Sequence, residues 1–267
     1  MKNSIIKKLL CVILITGMIF SVCLSTYAEC TSCGWFIKRN GNLQPHFPEE
    51  TVNLREYGVY YMDTSLNDTS DEKKIYITFD FGYENGNVEK IANCLREENV
   101  PAAFFVLDYP ILKNTELILQ LIEDGHTICN HTKKHKDITG YTTEQIKSEL
   151  SALEDIYREK TGHKMSKYFR YPEGKYSISS LKSLKELGYK TFFWSFAYDD
   201  WDNTNQKCAE QAIKKIINNT HNGAVMLFHP TSSTNAEIFP ILIKKWRELG
   251  YDFGTLDELV RNVDALK

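Results

Sequence analysis

The run Ile75-Tyr76-Ile77-Thr78-Phe79-Asp80, with Gly82 two residues on, decides how the rest of the chain is read. Its apolar residues suit a buried strand, and an acid closes its C-terminal end. Parallel α/β folds place their chemistry at that end of the strand. Working outward from it, strand-like runs recur at 102–107, 127–129, 168–170, 191–194, 224–228 and 252–253. Helix-like periodicity fills the gaps at 88–98, 116–123, 144–160, 179–187, 209–218, 237–249 and 256–263. Thr142 with Gln145, and Thr255 with Glu258, have the spacing of a capping box. Gly125 and Gly188 follow helical runs, as C-terminal caps do. Strand–helix alternation repeated in this way predicts a parallel α/β sheet. About seven parallel strands are close to a closed (β/α) barrel. An open doubly wound sheet has the same periodicity.

Composition sets the outer limits. The chain has 267 residues, 42% hydrophobic and 25% charged, enough for one large globular domain. Residues 1–28 read as a secretory signal: Lys2, Lys7 and Lys8 precede an apolar stretch of 16 residues, 9–24, and then Ser25-Thr26-Tyr27-Ala28. The stretch is shorter than the roughly 20 residues a spanning helix needs. An uncleaved leader would be the only link to a membrane, and export is expected. Residues 29–70 lack periodicity and read as an N-terminal extension; 71–263 read as the catalytic domain. Without the leader, 29 basic side chains face 35 acidic ones, and the net charge becomes −6. That balance argues against nucleic acid as a partner. Of seven cysteines, Cys30 and Cys33 suit a local disulfide, while Cys94, Cys129 and Cys208 read as buried packing residues.

Chemistry-bearing residues follow the strand-like runs. Asp80 can serve as a general base or as a turn residue. His131 and His135 are four apart, a spacing that on a helical turn puts both rings on one face within reach of one metal ion. Arg170, beside Pro172 and Gly174, suits a shaped turn that grips a carboxylate. Asp200 can orient a histidine, and Trp201 can wall a sugar ring. His229 ends the apolar run 225–228 and is placed as a general acid.

These stretches, Thr78–Gly82, His131–His135, Arg170–Gly174, Asp200-Trp201 and Leu227–His229, together resemble the NodB-homology polysaccharide deacetylases, family 4 of the carbohydrate esterases. The resemblance covers 74–262 and implies an irregular, distorted TIM-like (β/α) barrel. The longer string Thr78–Gly86, the segment Trp194-Ser195-Phe196-Ala197 and Gly34-Trp35-Phe36 are similar to the lactam-forming subgroup. That likeness implies removal of acetyl from N-acetylmuramic acid in peptidoglycan glycan strands, with muramic δ-lactam of the spore cortex as the end product and the forespore envelope as the place.

The resemblance further implies Asp80 as base held by Arg170, and His229 as acid held by Asp200. Glu173 supplies a backbone N–H to the oxyanion. Trp201, Glu173 and Tyr83 contact substrate. His131 and His135 hold a divalent metal, with zinc expected. Two departures stand out. Phe81 occupies the place of the family's second aspartate, a metal ligand, with Glu84 as a substitute to test; Ala197 stands where many relatives carry an acid. Deacetylation of another N- or O-acetylated glycan, or glycan binding on a scaffold that has lost turnover, are the alternatives.

Overall fold

The computed structural model describes residues 32–47 and 53–266. The leader, Cys30 and hence the Cys30–Cys33 pairing lie outside the described residues. The strands are β1 (Cys33–Gly34), β2 (Val59–Tyr60), β3 (Lys74–Phe81), β4 (Ala102–Val106), β5 (Thr127–Asn130), β6 (Tyr168–Phe169), β7 (Lys175–Tyr176), β8 (Lys190–Phe192), β9 (Phe196–Ala197), β10 (Ala224–Phe228) and β11 (Asp252–Phe253). The α-helices are α1 (Asn87–Glu97), α2 (Asp108–Lys113), α3 (Thr115–Glu123), α4 (Thr143–Thr161), α5 (Ile178–Glu186), α6 (Ala209–Ile217), α7 (Ser233–Glu248) and α8 (Leu256–Asp264).

Nine strands form one sheet in the order β2-β8-β6-β5-β4-β3-β10-β9, with β11 beside the start of β3. Every pairing in it is parallel. The path runs from β2 to β9 without closing, so the expected barrel is an open half-barrel. All seven expected strands are present. Periodicity missed β1, β2, β7 and β9, which have two residues each and, unlike the equally short β6 and β11, do not stand directly between two helical runs. β2 lies within the stretch read as an extension, yet it forms an edge of the main sheet.

Alternation along β3 explains the layers. Ile75, Ile77, Phe79 and Phe81 face outward into a core shared with Val88, Ile91 and Leu95 of α1 and Phe239, Leu242 and Trp246 of α7. Tyr76 faces inward and packs with Phe105, Cys129, Phe192 and Val225, over Leu256, Leu259 and Val263 of α8. Both faces are buried, which is why the strands read as near-continuous apolar runs.

Two local readings need correction. Thr142 and Gln145 do form a full capping box. At α8 only half forms: Thr255 accepts from the Glu258 N–H, but the Glu258 carboxylate pairs with Lys74 instead. Cys208 is exposed, not buried; it stands at the N-cap of α6, ahead of that helix's buried residues Ala212 and Ile216.

Candidate functional site

Asp80 has the inward parity of Tyr76 and Thr78 but sits at the open end of β3. Its Oδ1 accepts from Arg170 Nη1 at 2.9 Å. Arg170 follows β6 and is wholly buried, its guanidinium 4.0 Å from the centre of the Phe105 ring. Its remaining donors go to Thr78 Oγ1 (2.9 Å) and to the Phe192 and Phe193 carbonyls (3.2 and 3.4 Å). A buried cation is tolerated only when paired and hydrogen-bonded in this way. Burial works against the Asp80 charge, yet its electrostatic neighbours, His131, Arg170 and His229, hold its carboxyl below the usual range.

The His131–His135 segment is not a helical turn. It is a loop in which Thr132 (φ 65°) and His135 (φ 56°) adopt left-handed backbone. Asn130 shapes it, accepting the Thr132 N–H at 3.0 Å while donating to the Leu150 carbonyl at 3.1 Å. The two rings still meet, with centroids 5.1 Å apart. His131 Nδ1 lies 2.8 Å from the Arg170 carbonyl, which can only accept, so Nδ1 carries the proton. The free Nε2 is 3.6 Å from Asp80 Oδ2. Burial pushes His131 down to about 4, so this contact is not an ion pair at neutral pH.

On the other side, His229 follows β10. Its Nδ1 donates to Asp200 Oδ1 at 2.7 Å, and its backbone N–H donates to Asp200 Oδ2 at 2.8 Å. Burial alone would lower the His229 pKa; the charge and hydrogen bond of Asp200 outweigh it, and the net shift is upward.

Asp80, His135, Glu173, Trp201 and His229 line one cleft of about 610 Å³. A cavity of similar size between Arg55, Tyr60, Lys190 and Asp264 contains none of these groups. Glu173 sits at φ 55° in the turn Pro172–Gly174. Gly174 (φ 66°) is hemmed in: a Cβ there would stand 2.9 Å from Trp194 and 3.1 Å from Trp35. Trp35 stacks on Phe193 at 4.5 Å and takes the Gly174 carbonyl with its N–H at 2.9 Å, so the early segment buttresses this turn. Trp201 is 66% exposed at the mouth. Tyr83 stands apart from the acid–base groups, 45% exposed, its hydroxyl accepting from Asn203 at 2.8 Å.

Sequence reasoning overlooked three contributors. Trp194 and Tyr198 line the cleft. Asn235, at the third position of α7, donates to Asp200 Oδ2 at 2.6 Å. The spacing Ser232-x-x-Asn235 marks that helix start.

The place for a metal was tested on the donors present. Two unprotonated acceptors, His131 Nε2 and Asp80 Oδ2, face each other, and His135 stands beside them. That suits a cation, with His131 and His135 as its nitrogen donors. Among the described residues no cluster of three or more His, Cys, Asp or Glu forms a ready metal cage. Phe81 is in the outward core on the opposite face of β3 from Asp80. Glu84 does not replace the missing acid: its carboxylate accepts from the Gly86 and Glu89 N–H groups at the start of α1.

Comparison with known proteins identifies the family and the fold. The sequence profile described as polysaccharide deacetylase matches residues 67–192. The chain is 36% identical over 228 residues to peptidoglycan-N-acetylmuramic acid deacetylase PdaA of Bacillus subtilis, covering 85% of each protein. An uncharacterised 30.6 kDa protein of Geobacillus stearothermophilus is 37% identical, with 94% of each covered. The structure of Bacillus subtilis PdaA, a family 4 carbohydrate esterase, superposes with a TM-score of 0.80 at 35% identity, covering 86% of this chain and 97% of that one. A family 4 carbohydrate esterase from Bacillus anthracis gives 0.70 at 34% identity, covering 87% and 97%. The chain therefore belongs to the polysaccharide deacetylase family, hydrolases of carbohydrate esterase family 4.

Proposed function

We propose that this protein is an exported hydrolase that removes acetyl from N-acetylmuramic acid of peptidoglycan, leading to muramic δ-lactam in spore cortex. The observation that carries the reading is the opposition of two acid–base pairs, Asp80–Arg170 and His229–Asp200, with Asp80 and His229 on one cleft. The name and 36% identity of the Bacillus subtilis relative support the substrate. The pattern of residues 1–28 supports export and placement at the cell wall.

An amide resists hydrolysis because its carbonyl is resonance-stabilised and its amine leaves poorly. In the proposed reaction Asp80, ionised and aimed by Arg170, takes a proton from the attacking water. The Glu173 backbone N–H meets the developing oxyanion. His229, kept cationic beside Asp200, gives a proton to the departing nitrogen. Trp201 and Tyr83 offer aromatic faces to the sugar rings. His131 and His135 would hold a divalent cation, with zinc the expected ion, which would supply Lewis-acid charge stabilisation when bound.

The test is mass spectrometry of digested sacculi and glycan strands treated with the purified protein. De-N-acetylated muramic acid or its lactam is expected. Acetyl lost only from N-acetylglucosamine would reassign the substrate. Phe81, in place of a carboxylate ligand, favours a second reading of glycan binding without turnover. Tight binding with no acetate released under any added divalent metal selects it.

A further inference from the structure

We infer that Asn235 is a positioning residue of the proposed reaction: through its side-chain amide it orients Asp200 and moderates that carboxylate's hold on the His229 proton. The inference rests on the reading of His229 as the general acid.

Asn235 is fully buried at the third position of α7. In a capping box the third residue turns its side chain back to the N-cap N–H. Here only the backbone half of that exchange forms, from the Asn235 N–H to Ser232 Oγ at 3.0 Å. The amide is directed elsewhere. Its Nδ2 donates to Asp200 Oδ2 at 2.6 Å and to the His229 carbonyl at 3.1 Å. Its Oδ1 accepts from the Tyr198 hydroxyl. Reversing the amide would set its oxygen against two acceptors, so the neighbours fix its orientation. Tyr198 remains a donor, since burial and the nearby Asp200 charge push its pKa up. Tyr198 also lines the cleft, which links the amide to the wall that substrate meets.

The consequence is electrostatic. Asp200 receives three hydrogen bonds, two from His229 and one from Asn235. A donor that takes up carboxylate charge weakens the pull of that carboxylate on an adjoining imidazolium. Without Asn235, Asp200 holds the His229 proton more tightly, and His229 becomes a weaker acid toward the leaving amine. The other groups facing His229 are Asp80 and Arg170 at the strand ends; Asp80 raises its proton affinity and Arg170 lowers it. Neither is altered by a change at residue 235.

The experiment follows the His229 ring by NMR titration in the wild type and in Asn235→Leu, with kcat and KM on glycan strands measured across pH. The ring pKa is expected to rise by roughly one unit in the variant. The basic limb should move up with it, kcat should fall at least tenfold, and KM should change little. An unmoved or lowered ring pKa overturns the inference, whatever the activity, because a merely structural role does not shift that titration. Asn235→Ser, too short to reach Asp200, gives the same readings if the leucine variant does not fold. The titration needs no substrate. Failure of the glycan reading would appear separately, as wild-type protein that releases no acetate.

Discussion

On the His229 side of the cleft, the Asp200 carboxylate accepts three hydrogen bonds of 2.8 Å or shorter, from His229 and Asn235. On the His131 side, an imidazole nitrogen faces an Asp80 oxygen across 3.6 Å, with no donor between them. The first half is completed by the protein alone. The second is held from behind, by the Arg170 carbonyl on His131 Nδ1, and sets two acceptors against each other. A site that generates both a proton donor and an activated nucleophile needs this asymmetry: the donor is preorganised by fixed partners, while the nucleophile's half presents acceptors that can take up a proton or a cation.

The largest test of the comparison is Asp80→Asn, which removes a carboxylate that faces both His131 and His229. Acetate release should fall by about 10²–10⁴. Activity within tenfold of wild type would exclude Asp80 as the base. Arg170→Met should cost about 3–5 kcal/mol of stability, read as a lower urea midpoint, because it strands the Asp80 charge in a buried place. A midpoint near wild type would mean that the carboxylate reaches water. Phe81→Asp addresses the His131 half. Phe81 is fully buried edge-on to Phe104 at 6.4 Å, on the opposite face of β3 from Asp80. The variant should lose about 3 kcal/mol or more of stability without binding zinc more tightly in calorimetry. Tighter binding would show that residue 81 can turn into the cleft.

The smallest effect lies away from the site, at His126. Its Nε2 is buried without a hydrogen-bond partner, and burial lowers its pKa to about 4. An unfolded histidine titrates near 6.5. The folded state therefore keeps its full stability above about pH 6.5 and loses it as pH falls toward 4. The drop in Tm over that window should be smaller in His126→Gln than in the wild type. Equal drops would place the loss elsewhere.

Much of this was legible in the sequence because strands and their terminal residues are local. The run 75–80 carries both the packing parity and the acid, and the same holds for 224–229. Two-residue strands cannot show alternation: β6 and β11 are legible only from the helical runs on either side, and β1, β2, β7 and β9 lack such flanks; α2 escapes because Asp108–Lys113 has only six residues. The helical periodicity of α7 starts at 237. The helix begins at Ser233 and carries Pro240 in its interior, which hid the turn containing Asn235. The His131–His135 loop was missed as a loop for a related reason. Left-handed backbone at Thr132, a β-branched residue, has no signal in residue type.

The most direct measurement is acetate release from muramyl glycan strands by the purified protein, beside His229→Ala and Asp80→Asn. If the two opposed pairs perform the hydrolysis, the wild type releases acetate, each variant loses it by at least about a hundredfold, and both variants keep the wild-type circular dichroism. Equal release by the wild type and either folded variant would contradict the account.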